Sequence, residues 1–169
     1  MIKGNMRKGF EKFLITLLRL SMGWIFLWAF LDKLLGLGYG TSEGDGWIEG
    51  VSPTEEFLIN DTTESPFVEI FQAMAGEVWV DWLFMITLAT VGIAFIFGIM
   101  TRLAGVVGAV LSLLVYLAIF PPENNPIIDQ HIIFILVFIL LSATPCGEWF
   151  GLGRRWSETR LVKGFPFLK

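Results

Sequence analysis

The sequence has one cysteine, Cys146, and one histidine, His131, among 169 residues. A single cysteine excludes an internal disulfide and any Cys-x-x-Cys redox or metal pair. There is also no set of Cys and His ligands, no Gly-rich phosphate loop, no ordered Ser-His-Asp set and no nucleic-acid motif. We therefore expect no metal site and no nucleic-acid partner, and any redox activity would need a bound organic cofactor or a partner.

Charged residues are nearly missing from four long apolar stretches. Hydrophobic residues make up 54% of the chain and aromatic residues 15%, which is outside the range of soluble proteins. Because a membrane crossing needs about 20 apolar residues, the stretches predict spans at about 13–35, 80–100, 103–120 and 126–144. The expected fold is one all-α membrane domain over residues 1–169, an integral membrane four-helix bundle.

The first stretch has a second interpretation, a cleavable secretory signal, because it follows a basic start. Phe13 to Leu31 is too long for the apolar core of a signal and contains Arg19. We therefore expect an uncleaved first span.

Lysine and arginine are absent from Leu37 to Asp81, which holds ten carboxylates. Basic residues instead lie before the first span, at Arg102 between the second and third spans, and in the tail over residues 145–169. Cytoplasmic flanks of membrane helices are rich in Lys and Arg. This distribution predicts a multi-pass protein of the cell membrane with both termini in the cytoplasm.

The first outer loop, residues 37–79, is longer than a simple connection needs. Ser52-Pro53-Thr54-Glu55 predicts one short helix, with a capping serine followed by proline at the first helical position. Ser65-Pro66 predicts a second one, with Phe67, Ile70, Phe71 and Met74 on one face. That face would lie on the membrane surface or cover the bundle near Asp129.

Polar residues open the fourth predicted span, where Pro126 fits the first helical turn. Asn125, Asp129 and His131 would lie where hydrocarbon gives way to headgroups, a depth at which polar groups are costly and often functional. In a regular helix Asn125 and Asp129 share a face, whereas His131 points about 200° away from Asp129. Both could face one neighbour only if the helix start is distorted. His131 could transfer a proton to a reduced quinone or simply hydrogen-bond at the interface.

The first span carries its own candidate residues. Arg19 either extends back to the headgroups or faces the bundle and binds an anion or a quinone carbonyl. Lys33 lies near the other membrane surface, and Asp32 lies beside it. Because an unpaired charge is disfavoured at that depth, Asp129 with Lys33, or Asp32 with His131, would make sensible pairs. Trp28 and Trp24 could line a flat ligand or meet lipid.

Two further features have structural and functional interpretations. Cys146 could accept sulfur or could be a small interfacial residue. Gly105, Gly108 and Ser112 form a small-residue stripe that we assign to helix packing alone.

Four segments resemble one family: LLRLSMGWIFLWAFLDKL, GIMTRLAG, NNPIIDQHIIF and GEWFGLGRRW. Together they are similar to the DoxX superfamily, specifically the DoxD-type small subunit of thiosulfate:quinone oxidoreductases. The correspondences fall at Arg19, Lys33, Arg102, Asn125, Asp129 and His131. The resemblance implies a four-helix membrane protein that oxidises thiosulfate to tetrathionate and passes electrons to a membrane quinone, usually with a DoxA-type partner.

The resulting hypothesis is a quinone-linked membrane subunit of a sulfur-compound oxidoreductase. Its candidate catalytic residues are His131, Asp129 and Asp32, and its candidate substrate or quinone ligands are Arg19, Lys33, Arg102, Asn125 and Trp28. Candidate partners are membrane lipid, a DoxA-like subunit and further copies of the chain. The alternative is a non-enzymatic membrane module that binds lipid or scaffolds a soluble redox partner.

Overall fold

The computed structural model describes residues 2–123 and 125–168, with side chains from residue 7 onward except that of Pro166. Asn124 and Lys169, and the side chain of Lys3, lie outside this description. Every regular element in the described ranges is helical, which confirms the all-α prediction. The α-helices are α1 (Ile2–Leu35), α2 (Glu55–Asn60), α3 (Val68–Gln72), α4 (Val78–Phe97), α5 (Thr101–Ala118), α6 (Gln130–Ala143), α7 (Gly153–Ser157) and α8 (Arg160–Gly164).

Three of these helices are long and apolar enough to cross a membrane, namely α1, α4 and α5. Large apolar side chains on their outer faces, such as Leu17, Leu83 and Val106, are exposed. In water such surfaces would be unfavourable, whereas hydrocarbon accommodates them. The fourth apolar helix, α6, has 14 residues and is the shortest of the four.

The turn between α4 and α5 differs from the prediction. It consists of Gly98 to Met100, and Arg102 lies in the first turn of α5 instead of at the tip. Gly98 ends α4 in a left-handed conformation, with φ of 71°, a conformation that glycine adopts without a steric penalty. The sequence placed the end of the helix too late because Ile99 and Met100 continue the apolar run.

The start of α6 also differs from the prediction. Pro126 is not helical, and the helix begins at Gln130 with Asp129 as its N-terminal cap. The Asp129 carboxylate accepts hydrogen bonds from the amides of His131 and Ile132, at 3.0 and 3.2 Å. These bonds satisfy donors that have no partner inside the helix, so Asp129 fixes where the helix begins.

The two short helices predicted in the first outer loop are present as α2 and α3. The Ser52 hydroxyl accepts a hydrogen bond from the Glu55 amide, as a capping serine would, although α2 begins only at Glu55. Phe67 and Ile70 of the second segment are exposed.

Hydrogen bonds attach this loop to the ends of the long helices. The hydroxyls of Ser52 and Thr54 both donate to Asp81 Oδ1, at 2.8 and 2.6 Å, near the start of α4. The Ser65 hydroxyl donates to the Leu117 carbonyl at the end of α5. The loop therefore lies at the end of the molecule where α1 and α5 finish, which we call the acidic end.

The long helices pack side by side, with α1 against α4, α4 against α5 and α5 against α6, while α1 and α6 touch less extensively. A side chain on Gly92 would come within 2.7 Å of the Leu27 backbone, so this glycine permits close contact of α1 with α4. Gly108 does the same for α5, because an added Cβ would meet the Phe138 ring of α6 at 2.7 Å. The packing role assigned to the small-residue stripe is consistent with this contact.

Candidate functional site

His131 and Asp129 form a pair at the acidic end. His131 Nδ1 lies 2.5 Å from Asp129 Oδ2, and each side chain is about one-seventh exposed, at 15% and 13%. Asp129 has an extended backbone, with φ of −116° and ψ of −172°. That conformation lets one carboxylate contact both the helix amides and the imidazole, the distorted helix start that the sequence left open.

The pair determines which imidazole nitrogen carries the proton when His131 is neutral. A carboxylate at Nδ1 favours a proton on that nitrogen, so Nε2 of neutral His131 is an acceptor and that of protonated His131 is a donor. The ring lies edge-on to Phe134, with centroids 6.2 Å apart, and Phe134 in turn packs on Phe26 of α1. The imidazole thus lies beside an aromatic, apolar wall.

Asp32, predicted to act with His131, instead binds the loop that follows α1. It is buried, and its carboxylate accepts hydrogen bonds from the amides of Tyr39 and Gly40, at 3.2 and 2.8 Å. The carboxylate therefore holds the chain as it leaves α1. The suggested pair of Asp32 with His131 is not formed.

Lys33, predicted to pair with Asp129, lies among other carboxylates. It is partly buried and within electrostatic range of Asp32, Glu56 and Asp61. The two acidic residues of the first outer loop thus act on Lys33, while Asp129 pairs with His131. The suggested pair of Lys33 with Asp129 is therefore not formed.

Trp28 and Asn125 have local partners. The Trp28 ring contacts Tyr39 edge-on at 5.2 Å and Trp24 at 5.7 Å, and Trp24 remains exposed. Asn125 is exposed, and its side-chain oxygen accepts from the amides of Ile127 and Ile128. Asn125 therefore supports the chain before α6, while Trp28 supports the chain after α1.

Arg19 lies at the opposite end, which we call the basic end and which includes Lys12 to Arg19, the turn Gly98 to Met100 and the chain after Thr144. Its side chain is completely buried and faces the interior, the second of the two orientations considered from the sequence. Nη2 donates to the Phe150 carbonyl at 3.2 Å, whereas Nε and Nη1 have no hydrogen-bond partner among the residues that the structure describes.

Glycines enclose the Arg19 guanidinium. A Cβ on Gly98 would overlap Nη1, and one on Gly151 would lie 2.5 Å from it. Phe150, the residue whose carbonyl Arg19 binds, has a φ of 50°, a conformation costly for a side chain of this size. Arg19 thus fastens the chain after α6 to α1, and Nη1 lies against the backbone of Gly98 and Gly151.

Arg102 is exposed and lines a small cleft at the basic end, together with Met100, Thr101, Thr144, Glu148 and Trp156. The cleft has a volume of about 30 Å³, enough for one or two water molecules. A quinone ring does not fit this space.

Cys146 is fully buried at the basic end, near Thr101 and Thr144. Its thiol donates to the Leu141 carbonyl at 3.4 Å. Burial raises the pKa of the thiol, so the reactive thiolate is disfavoured. This geometry agrees with a packing role for the residue.

Asp81 is a buried carboxylate that the sequence reasoning did not select. Its carboxylate joins the first outer loop to α4. The sequence feature that could have identified it is a single aspartate at the start of a predicted span. Among the residues that the structure describes, no cluster of three or more His, Cys, Asp or Glu could hold a metal ion.

Comparison with protein families matches residues 13–140 to the family described as the TQO small subunit DoxD. No curated protein and no solved structure matches the chain. The matched region contains α4, α5, most of α6 and all of α1 after its first turns, including Arg19, Lys33, Asp129 and His131. It covers more than half of the chain. With three helices long enough to span a bilayer, the chain is a membrane protein that belongs to the DoxD family.

Proposed function

We propose that the protein is the quinone-linked membrane subunit of a thiosulfate:quinone oxidoreductase. The family match over residues 13–140 carries this proposal. In the reaction, two thiosulfate ions lose one electron each and join through a new S–S bond to form tetrathionate. The membrane quinone takes up the two electrons together with two protons.

His131 and Asp129 are the groups best suited to the quinone. A quinone headgroup needs a hydrogen-bond donor at its carbonyl oxygen and apolar walls beside its ring. The protonated imidazole, which donates through Nε2 while Asp129 holds Nδ1, fits the first need, and Phe134 and Phe26 alongside fit the second. We assign His131 as the donor of a proton through Nε2 and Asp129 as the group that accepts from Nδ1 and holds the ring in place.

Lys33 is the cation that we assign to thiosulfate. Thiosulfate and quinone must approach closely for electrons to pass between them, which favours a cation at the same end as His131. Lys33 meets that condition, whereas Arg102 lies at the basic end. Asp32, Asn125 and Trp28 support the two chain segments beside this site, and enclosed Arg19 acts as a positioning residue for the basic end.

The same proposal includes the setting of the protein. We expect both termini in the cytoplasm, so that the acidic end and its quinone site lie at the outer surface. A DoxA-type subunit is the expected partner, and further copies of the chain are a second one.

The direct test is quinone reduction by the purified chain, alone and together with a DoxA-type subunit. Thiosulfate and a short-chain ubiquinone analogue are supplied, quinol is followed by absorbance, and tetrathionate is measured at the end. We expect one tetrathionate for each quinol formed. No thiosulfate-dependent quinol in either preparation, from protein that unfolds cooperatively, would overturn the proposal and favour a non-enzymatic scaffold.

Two charge-neutralising variants test the substrate assignment separately. Lys33→Gln is expected to raise the KM for thiosulfate roughly tenfold while the KM for quinone stays unchanged, because one charged contact is lost. Arg102→Gln is the matched control and is expected to change neither KM. The reverse result would move the thiosulfate site to the basic end.

A further inference from the structure

The chain after α6 continues beyond the region matched to the family and folds back on the basic end. Thr16 of α1 donates to the Trp149 carbonyl and Arg19 to that of Phe150. Near the end of the chain, Pro166–Leu168 packs against α5, and Trp156 Nε1 donates to the Leu168 carbonyl at 2.7 Å. Residues 150–168, which we call the tail segment, are therefore held against the helices.

The tail segment has an unusual surface for a folded chain, because its three phenylalanine side chains point outward. Phe150 is 78% exposed, Phe165 57% and Phe167 64%. Four exposed cations accompany them, against one exposed carboxylate, Glu158: Arg154, Arg155, Arg160 and Lys163. Exposed aromatic rings beside basic groups are the composition of segments that lie in a bilayer interface.

The position of the segment agrees with that composition. It lies beside the stretch of α1 where Lys12, whose ammonium group contacts the Trp149 ring, gives way to apolar residues. Its Trp156 also lines the cleft at the start of α5, together with Thr101 and Arg102. The hydrocarbon boundary of the leaflet at the basic end must cross both helices near these residues. The tail segment is thus at headgroup depth.

We propose that the tail segment is a binding surface for anionic phospholipid headgroups. The four cations contact headgroup phosphates, and Phe150, Phe165 and Phe167 insert between the acyl chains beneath them. This role is separate from thiosulfate oxidation and does not depend on it. A soluble protein partner on the same surface is the competing occupant, and the experiments below separate the two.

The first experiment measures stabilisation by lipid. The full chain in neutral detergent is heated with added phosphatidylglycerol or phosphatidylcholine. Phosphatidylglycerol is expected to raise the Tm of the wild type more than phosphatidylcholine does. The double variant Arg154→Gln, Arg155→Gln should lose most of that difference, with affinity for phosphatidylglycerol lower by roughly tenfold or more.

Two double variants serve as controls for whether the loss is specific to the charges of the tail segment. Arg7→Gln, Lys8→Gln removes the same charge at the same end but outside the tail segment, and should keep most of the phosphatidylglycerol effect. Glu43→Gln, Asp45→Asn alters the acidic end and should keep all of it. Equal losses in the two basic double variants would overturn a specific role for the tail segment.

The second experiment locates an aromatic side chain directly. Phe167→Cys introduces an exposed thiol for a fluorophore, and the wild type is the unlabelled control because Cys146 is fully buried. In vesicles containing phosphatidylglycerol, lipids with brominated acyl chains should quench the fluorophore and aqueous iodide should not. Quenching by iodide alone would place residue 167 in water, which would overturn the proposal and leave the surface to a soluble partner.

Discussion

At the scale of single residues, Gly98 is the position near Arg19 where an added side chain would be tolerated least. Gly98→Ala would add a Cβ that overlaps Arg19 Nη1 and would force alanine into a left-handed conformation at φ of 71°. The conformation alone costs about 1–2 kcal/mol, and the overlap must also displace a buried guanidinium. We expect a total loss of stability above about 2 kcal/mol, measured as a lower Tm in detergent.

Gly50→Ala is the control for the backbone contribution. Gly50 also has a left-handed conformation, with φ of 90°, but an added Cβ would meet nothing within 4 Å. This variant should lose only the conformational part, about 1 kcal/mol. If both variants lowered the Tm equally, the close contact of Gly98 with Arg19 would contribute nothing to the stability of the fold.

His131 is the residue on which the proposed proton transfer depends. Glutamine in its place keeps hydrogen-bonding groups but cannot carry a proton at neutral pH. His131→Gln should therefore reduce kcat for quinone reduction by roughly a hundredfold or more, with little change in the KM for thiosulfate. Steady-state kinetics measures both constants.

A substitution at the neighbouring exposed residue, Gln130→Ala, should leave the kinetics unchanged. The Tm of each variant shows whether it is folded. Full turnover by folded His131→Gln would remove His131 from the mechanism.

Single residues also show what sequence alone could provide. Asp129 and His131 were selected as candidates because charged and polar groups are rare at the edge of an apolar run. The contact of Arg19 with the Phe150 carbonyl joins residues 131 positions apart, and neither side has a local pattern that indicates the other. The partner of Asp32 was wrongly expected on another helix. Its actual partners are backbone amides, which every residue except proline provides and which therefore leave no pattern in the sequence.

At the scale of an element, α6 depends on its cap. Asp129 accepts from two helix amides and also contacts His131, so substitutions can separate the two roles. Asp129→Asn keeps a capping oxygen and should leave the stability within about 0.5 kcal/mol, whereas Asp129→Ala should cost about 1 kcal/mol. Both should slow quinone reduction, because neither provides a carboxylate to His131. Thermal unfolding and kinetics are measured on the same preparations.

Two outcomes would contradict this separation of roles. If the two variants unfold at the same temperature, the cap does not determine the stability of α6. If Asp129→Asn retains the wild-type rate, the carboxylate is not needed to hold the imidazole.

The elements themselves were predictable because long apolar runs need helical hydrogen bonding in a membrane. Their ends were less predictable. Gly98 ends α4 inside an apolar run that continues to Met100, and Asp129 delays α6 past a proline that suits a helix start. In both cases one residue with a special backbone or capping role overrides the hydrophobic pattern.

At the scale of the whole molecule, the length of α6 has to be reconciled with the bilayer. Fourteen helical residues extend about 21 Å, whereas the hydrocarbon core is about 30 Å thick. The non-helical chain before α6 makes up part of the difference, with Ile127 and Ile128 exposed. Three of its backbone groups are bonded to side chains: Asn125 accepts from the amides of Ile127 and Ile128, and the Tyr116 hydroxyl donates to the Ile127 carbonyl at 2.8 Å. Such bonds let irregular chain enter the interface.

This arrangement predicts that α6 crosses the membrane fully and leaves both ends of the chain on one side. Cysteines introduced one at a time at exposed positions test this prediction. Each variant is treated with a membrane-impermeant maleimide on intact cells and on opened membranes. Ser42→Cys and Glu123→Cys should react in intact cells. Arg160→Cys should react only after the membrane is opened, because the tail segment lies at the basic end with the start of α1.

Cys146 provides an internal control for these measurements, because it is buried and burial raises the pKa of its thiol. The wild type should stay unlabelled near pH 7 on either side, and any slow reaction should increase as the pH rises, since more thiolate is then present. Reaction of Arg160→Cys in intact cells, while Ser42→Cys also reacts, would place both ends of α6 on the outer side of the membrane. That result would contradict a full crossing, and it would require the basic tail and the acidic loop to share one surface of the membrane.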